Sequence, residues 1–229
     1  FNKIKEFINI EIIEKQKNMY NKDILVENVE KRAPFYLDNK PRDKRVLDAM
    51  RRVDRKLFLP ESSRSLAYED IPLPIGYNQT CSQPSMVAFI LDELEIKENS
   101  KILEIGSGCG YAAAIASILC KPAGIVYAIE IIKELYEFAR RNLASYMENI
   151  VLLNKNGSKG LIEYAPFDRI FLSAGVGKNF NNKILLDQLS EGGILIYPET
   201  YGNLYKIKKE KGKILTEIFY GVSFVPLVE

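Results

Sequence analysis

The stretch Lys101–Ala116, KILEIGSGCGYAAAIA, decides the fold. It reads as a short buried strand (Ile102, Leu103 and Ile105, with Glu104 among them), then a glycine turn, Gly106-Ser107-Gly108-Cys109-Gly110. A helix opens at Tyr111, and the small apolar residues behind it let that helix lie close to a sheet. Glycines are needed in the turn because a side chain would block the approach of backbone to a ligand. The pattern also predicts that NH groups freed at the helix start face the bound molecule.

The spelling narrows the ligand. A dinucleotide fingerprint G-x-G-x-x-G counted from Gly106 requires glycine at position 111, which is Tyr111, while Gly110 comes one place early. The E-x-G-x-G-x-G run from Glu104 to Gly110 instead resembles motif I of the Rossmann-like methyltransferases that bind S-adenosylmethionine. A second apolar strand, Val126-Tyr127-Ala128-Ile129, ends in Glu130. That acid lies roughly 20 residues past the glycines, where a carboxylate can hold ribose hydroxyls. A tight turn of any α/β domain and a solvated strand-end glutamate are the plain alternatives.

Composition bounds the rest. The 229 residues suffice for one large α/β domain or one domain with an extension, and 47% apolar content fills a substantial core. With 32 basic and 30 acidic residues the net charge is +2, which argues against nucleic acid as a partner. No apolar run approaches the ~20 residues of a membrane span. No signal-peptide pattern is visible, and the chain opens on Phe1 rather than Met. Cys81, Cys109 and Cys120 show no C-x-x-C spacing, and an odd count without a framework suits a reducing, cytoplasmic setting. Histidine is absent, which removes it as general base, triad member or metal ligand. Nothing in the chain demands a metal.

Taken in order, residues 1–20 carry a helical stripe of Ile4, Ile8 and Ile12 beside Phe7 and Ile13. Residues 22–38 look less regular, with Pro34 and Pro41 as punctuation. Residues 1–40 thus form an N-terminal helical extension, the candidate segment for self-association of an otherwise monomeric protein, and 41–229 the main domain. Asp43–Val53 reads as a helix with Val46, Leu47 and Met50 inward, and the cations Lys44, Arg45, Arg51, Arg52, Arg55 and Lys56 as a solvated face. Prolines 72 and 74 forbid a helix in the apolar segment Leu66–Gly76, so an ordered loop is expected. Pro84 starts a helix over 85–94 with Ser82 or Gln83 near its N-cap. Helix 133–143, strand 150–153, strand 168–172, helix 183–190 and strand 194–197 follow, then a strand pair (204–208 and 214–219) around Lys211-Gly212 and an apolar docked tail from Val222 to Val228. Strand–helix alternation over 101–197 implies a doubly wound, mostly parallel sheet with helices on both faces, the Rossmann-like methyltransferase fold. Ligands bind such sheets beyond the strands' carboxyl ends, where Gly106–Gly110, Glu130 and Asn156-Gly157 fall.

These blocks together resemble the protein-L-isoaspartate (D-aspartate) O-methyltransferase family over about Asp54–Val228. The blocks are Asp54-Arg55 through Phe58-Leu59-Pro60, AYEDIPLPIG at 67–76, Gln79-Thr80-Cys81-Ser82-Gln83-Pro84, LEIGSGCGY at 103–111, ARRNL at 139–143, YAPFDRI at 164–170, EGG at 191–193 and FVPLV at 224–228. The Gln-Thr-x-Ser-x-Pro block is far more specific than the glycine motif. The resemblance implies a protein-repair enzyme that moves a methyl group from S-adenosyl-L-methionine to the free α-carboxylate of isoaspartyl or D-aspartyl residues, leaving S-adenosyl-L-homocysteine. A carboxylate is ionised at neutral pH and the sulfonium is already activated, so placement and desolvation suffice and histidine is not needed.

Carried over by position, the resemblance makes Ser82 the active-site serine that orients the substrate carboxylate, with N-capping as the plain alternative. Gln79, Thr80, Cys81 and Ser85 would close over the cofactor. Glu104, Gly106, Ser107 and Gly108 would surround its methionine part, Glu130 its ribose, and Asn156 with Gly157 its adenine. Three departures stand out: Asn156 where Asp is usual, Asn78 where glycine is common, and Glu199-Thr200 where Val-Gly is common. An acid at 199 facing the peptide channel would repel the substrate. A protein of the same fold with altered substrate or lost catalysis is the alternative reading. A base-amino methyltransferase is disfavoured because Leu172-Ser173-Ala174-Gly175-Val176 replaces an Asn-Pro-Pro-Tyr-like motif.

Overall fold

In the computed structural model, residues 21–31 and 43–229 are described, so the amphipathic stripe of residues 1–20 lies outside them. Helical backbone over 21–31 (α1) replaces the irregular chain expected there. Leu25, Val26 and Val29 recur at helical spacing and are buried in the same core as the sheet, which stabilises the helix. Helix α2, Lys44–Arg52, is capped by Asp43, whose side chain accepts the Arg45 NH, and buries Val46, Leu47 and Met50.

The segment expected as a loop contains a small hairpin, β1 (Leu73–Gly76) against β2 (Gln79–Cys81). Gly76 pairs with Gln79, so Tyr77-Asn78 is a two-residue turn, and both residues have positive φ (53° and 56°). That left-handed pair is what a two-residue hairpin demands, and asparagine tolerates it, which accounts for Asn78 in a place that glycine could fill. Helix α3 runs Pro84–Glu93 with the proline in its first turn.

The large sheet has seven strands in the order β5-β4-β3-β6-β7-β8-β9. Strands β3 (Lys101–Ile105), β4 (Ile125–Glu130), β5 (Ile150–Asn154), β6 (Phe167–Leu172) and β7 (Leu189–Pro198) run parallel to one another. β8 (Tyr201–Glu210) and β9 (Lys213–Ser223) close it antiparallel, longer than the expected pair. The expected helix 183–190 shortens to α6, Lys183–Asp187, and β7 begins at Leu189. Between Phe167↔Leu189 and Arg169↔Ile194 the register shifts, with Gly192 at φ 76°. The Gly192-Gly193 pair is therefore a bulge inside a strand rather than a helix stop.

Period-two alternation divides the core. Ile102, Val126, Ala128, Ile150, Phe171 and Ile194 face α1–α3 together with α4 (Tyr111–Leu119) and α5 (Lys133–Asn142). Leu103, Ile105, Tyr127, Ile129, Ile170 and Leu195 face α6 and the 161–167 segment. Glu104 and Glu130 therefore lie on the face covered by α1–α5, at the carboxyl ends of neighbouring strands. The order reverses between β3 and β6, which puts the switch-point crevice beside Glu104. The tail docks as expected: Gly175 N donates to Val225 O at 2.8 Å and Leu227 N to Gly175 O at 2.7 Å.

Candidate functional site

The glycine turn between β3 and α4 is built by its neighbour strand. Gly106 N and Ser107 N both donate to Ile129 O at 2.9 and 3.0 Å, and Gly110 N donates to Ser107 O at 2.8 Å. Gly108 N donates to Glu130 Oε2 at 2.8 Å, while Oε1 of the same carboxylate accepts Ile132 N at 2.9 Å. The end of β4 thus satisfies the NH groups of Gly106, Ser107 and Gly108, and Ser107 that of Gly110, and all four belong to the turn ahead of the helix start at Tyr111. Gly110 sits at φ 86°, and a Cβ there would stand 2.8 Å from Leu143 Cγ, so glycine lets the turn pack against the end of α5.

Glu104 is fully buried. Its Oε1 accepts Ser173 Oγ at 2.8 Å, whereas Oε2 has no hydrogen-bond partner. Burial pushes this carboxyl up to about 7 against the Ser173 hydrogen bond, and the charge of Glu130 adds to the rise. Burial also raises Glu130, opposed by its backbone NH partners. Ser107 Oγ is likewise buried without a partner. Two orphaned buried acceptors in one cavity call for a ligand that carries donors or positive charge.

Three adjoining cavities surround these groups. The first is lined by Thr80, Cys81, Ser82, Glu104, Ser107 and Phe224, among others. The second is lined by Gln79, Thr80, Gly108, Glu130, Gly157 and Leu227, among others. It is cradled at Gly157, where a Cβ would stand 2.8 Å from Ile105 Cγ2. The third is an open cleft lined by Pro72, Thr80, Ser82, Met86, Tyr201 and Phe224, among others. Thr80 borders all three, and Ser82 and Phe224 border both the first and the open cleft.

Most of the residues singled out in the sequence meet here. Ser85 and Asn156 do not line these cavities. Ser85 is buried, with its NH on Asp70 Oδ1 at 2.8 Å, and Asn156 is exposed, with Oδ1 accepting Ser158 N at 2.8 Å. Ser82 is not the N-cap of α3. That position is Gln83, without a side-chain cap bond. Glu199 is absent from the lining of the open cleft, and its carboxylate accepts Asn203 N at 3.0 Å and Tyr205 OH at 3.2 Å in the turn joining β7 to β8. The feared repulsion has no geometric basis.

Arg55 was read as part of a solvated face, and the structure buries it (1% exposed). Its guanidinium donates to the carbonyls of Ala67, Glu69, Ile71, Cys81 and Ser82 at 2.8 to 3.3 Å. It ties the proline segment to the Ser82 block. Ser173 and Asp70 were also missed as site-builders. Ser173 follows directly on β6, and strand carboxyl ends are where such folds bind ligands, so that signal was available. Arg55 and Asp70 gave none, since their partners lie far along the chain.

Comparison with known proteins shows the family. The family model for protein-L-isoaspartate(D-aspartate) O-methyltransferase matches residues 29–229. The chain belongs to that family. Among its relatives, the protein-L-isoaspartate O-methyltransferase of Thermosipho melanesiensis is 47% identical over 189 residues, 81% of this chain and 94% of that protein. The one from Methanococcoides burtonii is 47% identical over 191 residues, 81% and 93% of the two chains. A Plasmodium falciparum structure described as a protein-L-isoaspartate O-methyltransferase, in complex with S-adenosyl-L-homocysteine, superposes with a TM-score of 0.75 at 28% identity, covering 90% of this chain and 98% of that one. For this member of the protein-L-isoaspartate O-methyltransferases, the glycine turn and the Gln79–Pro84 block thus sit around one crevice.

Proposed function

We propose that the three adjoining cavities are where this chain carries out the reaction of its family, transfer of a methyl group from S-adenosyl-L-methionine to the free α-carboxylate of isoaspartyl residues in damaged proteins. One observation carries the assignment of roles. Ser82 lies where the buried cavity with its orphaned glutamate meets the open cleft. When bound, the cofactor supplies an electrophilic methyl group on a sulfonium.

The chain's own residues do the rest. Glu104, held by Ser173, takes the cationic methionine end, and its unpartnered Oε2 gains a donor. Glu130 takes the ribose, and Gly157 leaves space for the adenine side. Thr80, Cys81 and Gln79 close over the donor from β2. Ser82 orients the incoming carboxylate by hydrogen bonding. It need not act as a nucleophile, since the substrate carboxylate itself attacks the methyl group. Phe224 and Met86 line the approach and exclude water, which strengthens the pairing of opposite charges. Asn156 and Ser85 act in support: the first shapes the turn beside Gly157, the second receives the Asp70 cap.

The three buried free thiols support a cytoplasmic setting. No helix among the described residues is long and apolar enough to cross a membrane. We take the working unit as a monomer, with the N-terminal extension, residues 1–40, as the candidate segment for self-association, which sedimentation of the full chain against one lacking its first twenty residues would test. The reaction is tested with labelled S-adenosyl-L-methionine, an isoaspartyl peptide and its aspartyl twin. Base-labile label on the isoaspartyl peptide alone is expected. Donor binding without label on either peptide would instead mark a protein that has lost catalysis.

A further inference from the structure

Cys81 and Cys109 are 28 residues apart in the chain (109 − 81), yet they line the same cavity. Cys81 ends β2, and Cys109 sits in the glycine turn before α4. Both are buried and free, and they open onto the same space beside Glu104 and Ser107. The third cysteine is elsewhere: Cys120 Sγ donates to Ser117 O at 3.5 Å at the far end of α4.

We propose that Cys81 and Cys109 form a redox-responsive dithiol that a hydroperoxide oxidises to an intrachain disulfide, shutting the donor cavity. The inference rests on that cavity being the cofactor site. The chemistry needs a thiolate, and the surroundings favour it at Cys81. The neighbouring Cys109 thiol and, behind it, the Arg55 guanidinium draw the Cys81 thiol below its ordinary value against burial, while Cys81 and burial hold Cys109 well above its own. Cys81 sulfur attacks the peroxide, the O–O bond breaks, and a sulfenic acid forms as hydroxide leaves. Cys109 sulfur then attacks Cys81 sulfur, the S–O bond breaks, and the departing hydroxide takes up the Cys109 proton. The balance is one dithiol and one hydrogen peroxide to one disulfide and two waters. The oxidant reaches the sulfurs through the cavity they line, so bound cofactor shields them.

The consequence is steric. An S–S bond of about 2.05 Å draws the end of β2 onto the glycine turn, closing the space beside Glu104 and Ser107.

The full chain, treated with hydrogen peroxide with and without S-adenosyl-L-homocysteine, is read by non-reducing peptide mass mapping and by calorimetric binding of that product. Expected is a Cys81–Cys109 crosslink lacking two hydrogens and suppressed by the ligand. Affinity should fall by at least about tenfold and return with dithiothreitol. The crosslink should persist in Cys120→Ser and vanish in Cys109→Ser. Oxidation of Cys81 to sulfinic acid without a crosslink, a crosslink through Cys120, or a crosslink that leaves affinity unchanged each overturns the proposal. A crosslink in a protein whose reduced form does not bind the ligand would leave the dithiol standing and refute the cofactor-site reading.

Discussion

The carboxylate of Asp70 accepts the backbone NH of Ser85 at 2.8 Å, so α3 is capped from the proline segment rather than from its own flank. A second Asp70 oxygen accepts Gln83 Nε2 at 3.2 Å. The Ser82-Gln83 corner is thereby held against the helix start, between the donor cavity and the open cleft. Asp70→Ala should cost about 1 kcal/mol, as lost N-caps do, and raise KM for the isoaspartyl peptide more than Kd for S-adenosyl-L-homocysteine. Asp70→Asn, which keeps an acceptor, should recover most of both. Equal effects on peptide and donor would place the cap outside the substrate side.

Arg55 makes five hydrogen bonds from a planar fork. A lysine keeps the charge and loses the fork. Arg55→Lys should therefore leave several buried carbonyls unpaired, at about 1–3 kcal/mol each before relaxation. A drop in the urea midpoint of under about 0.5 kcal/mol equivalent, the size of an ordinary surface change, would contradict this role.

Glu104 carries a pH signature. Its carboxyl stands at about 7 against an ordinary 4.5, so between those values the folded state holds a proton that the unfolded state has released. Its contribution to stability is full below 4.5 and is lost as pH rises through about 7, on the order of 3 kcal/mol. A bound ammonium favours the ionised form, so donor affinity should rise from about pH 6 to about pH 8 as binding releases a proton. Calorimetry in buffers of different ionisation enthalpy would detect that proton, and Glu104→Gln should abolish both trends.

Gly157 has no room for a side chain, with Ile105 Cγ2 at 2.8 Å and Ile129 Cγ2 at 3.3 Å from a built Cβ. Gly157→Ala should overpack the spot by about 1–3 kcal/mol and weaken donor binding more than peptide binding. Unchanged donor affinity in a folded variant would move the adenine elsewhere.

Ser82 is not the helix cap, so its hydroxyl is available for substrate. Ser82→Ala should lower kcat by about 10–100-fold, the scale of a lost charge-assisted hydrogen bond, with Kd for S-adenosyl-L-homocysteine nearly unchanged. Full turnover in the variant would remove the serine from catalysis.

The sequence by itself determined the parts whose causes are local. The strand–glycine–helix unit at Lys101–Leu119, the Glu130 strand end and the alternation of strands with helices along the chain follow from hydrophobic period and turn residues within short windows. Boundaries blurred where glycine has two meanings, as at Gly192-Gly193, a bulge that reads like a helix stop. Asn78 was a mere departure until the hairpin showed that it occupies a left-handed turn. Tertiary structure alone decided the pairs whose members lie far apart in the chain: Arg55 with Ser82, Ser173 with Glu104, and Cys81 with Cys109. A charged side chain is solvated or buried according to what the fold brings beside it. That neighbour is set by sheet order and register, which no single window of sequence contains.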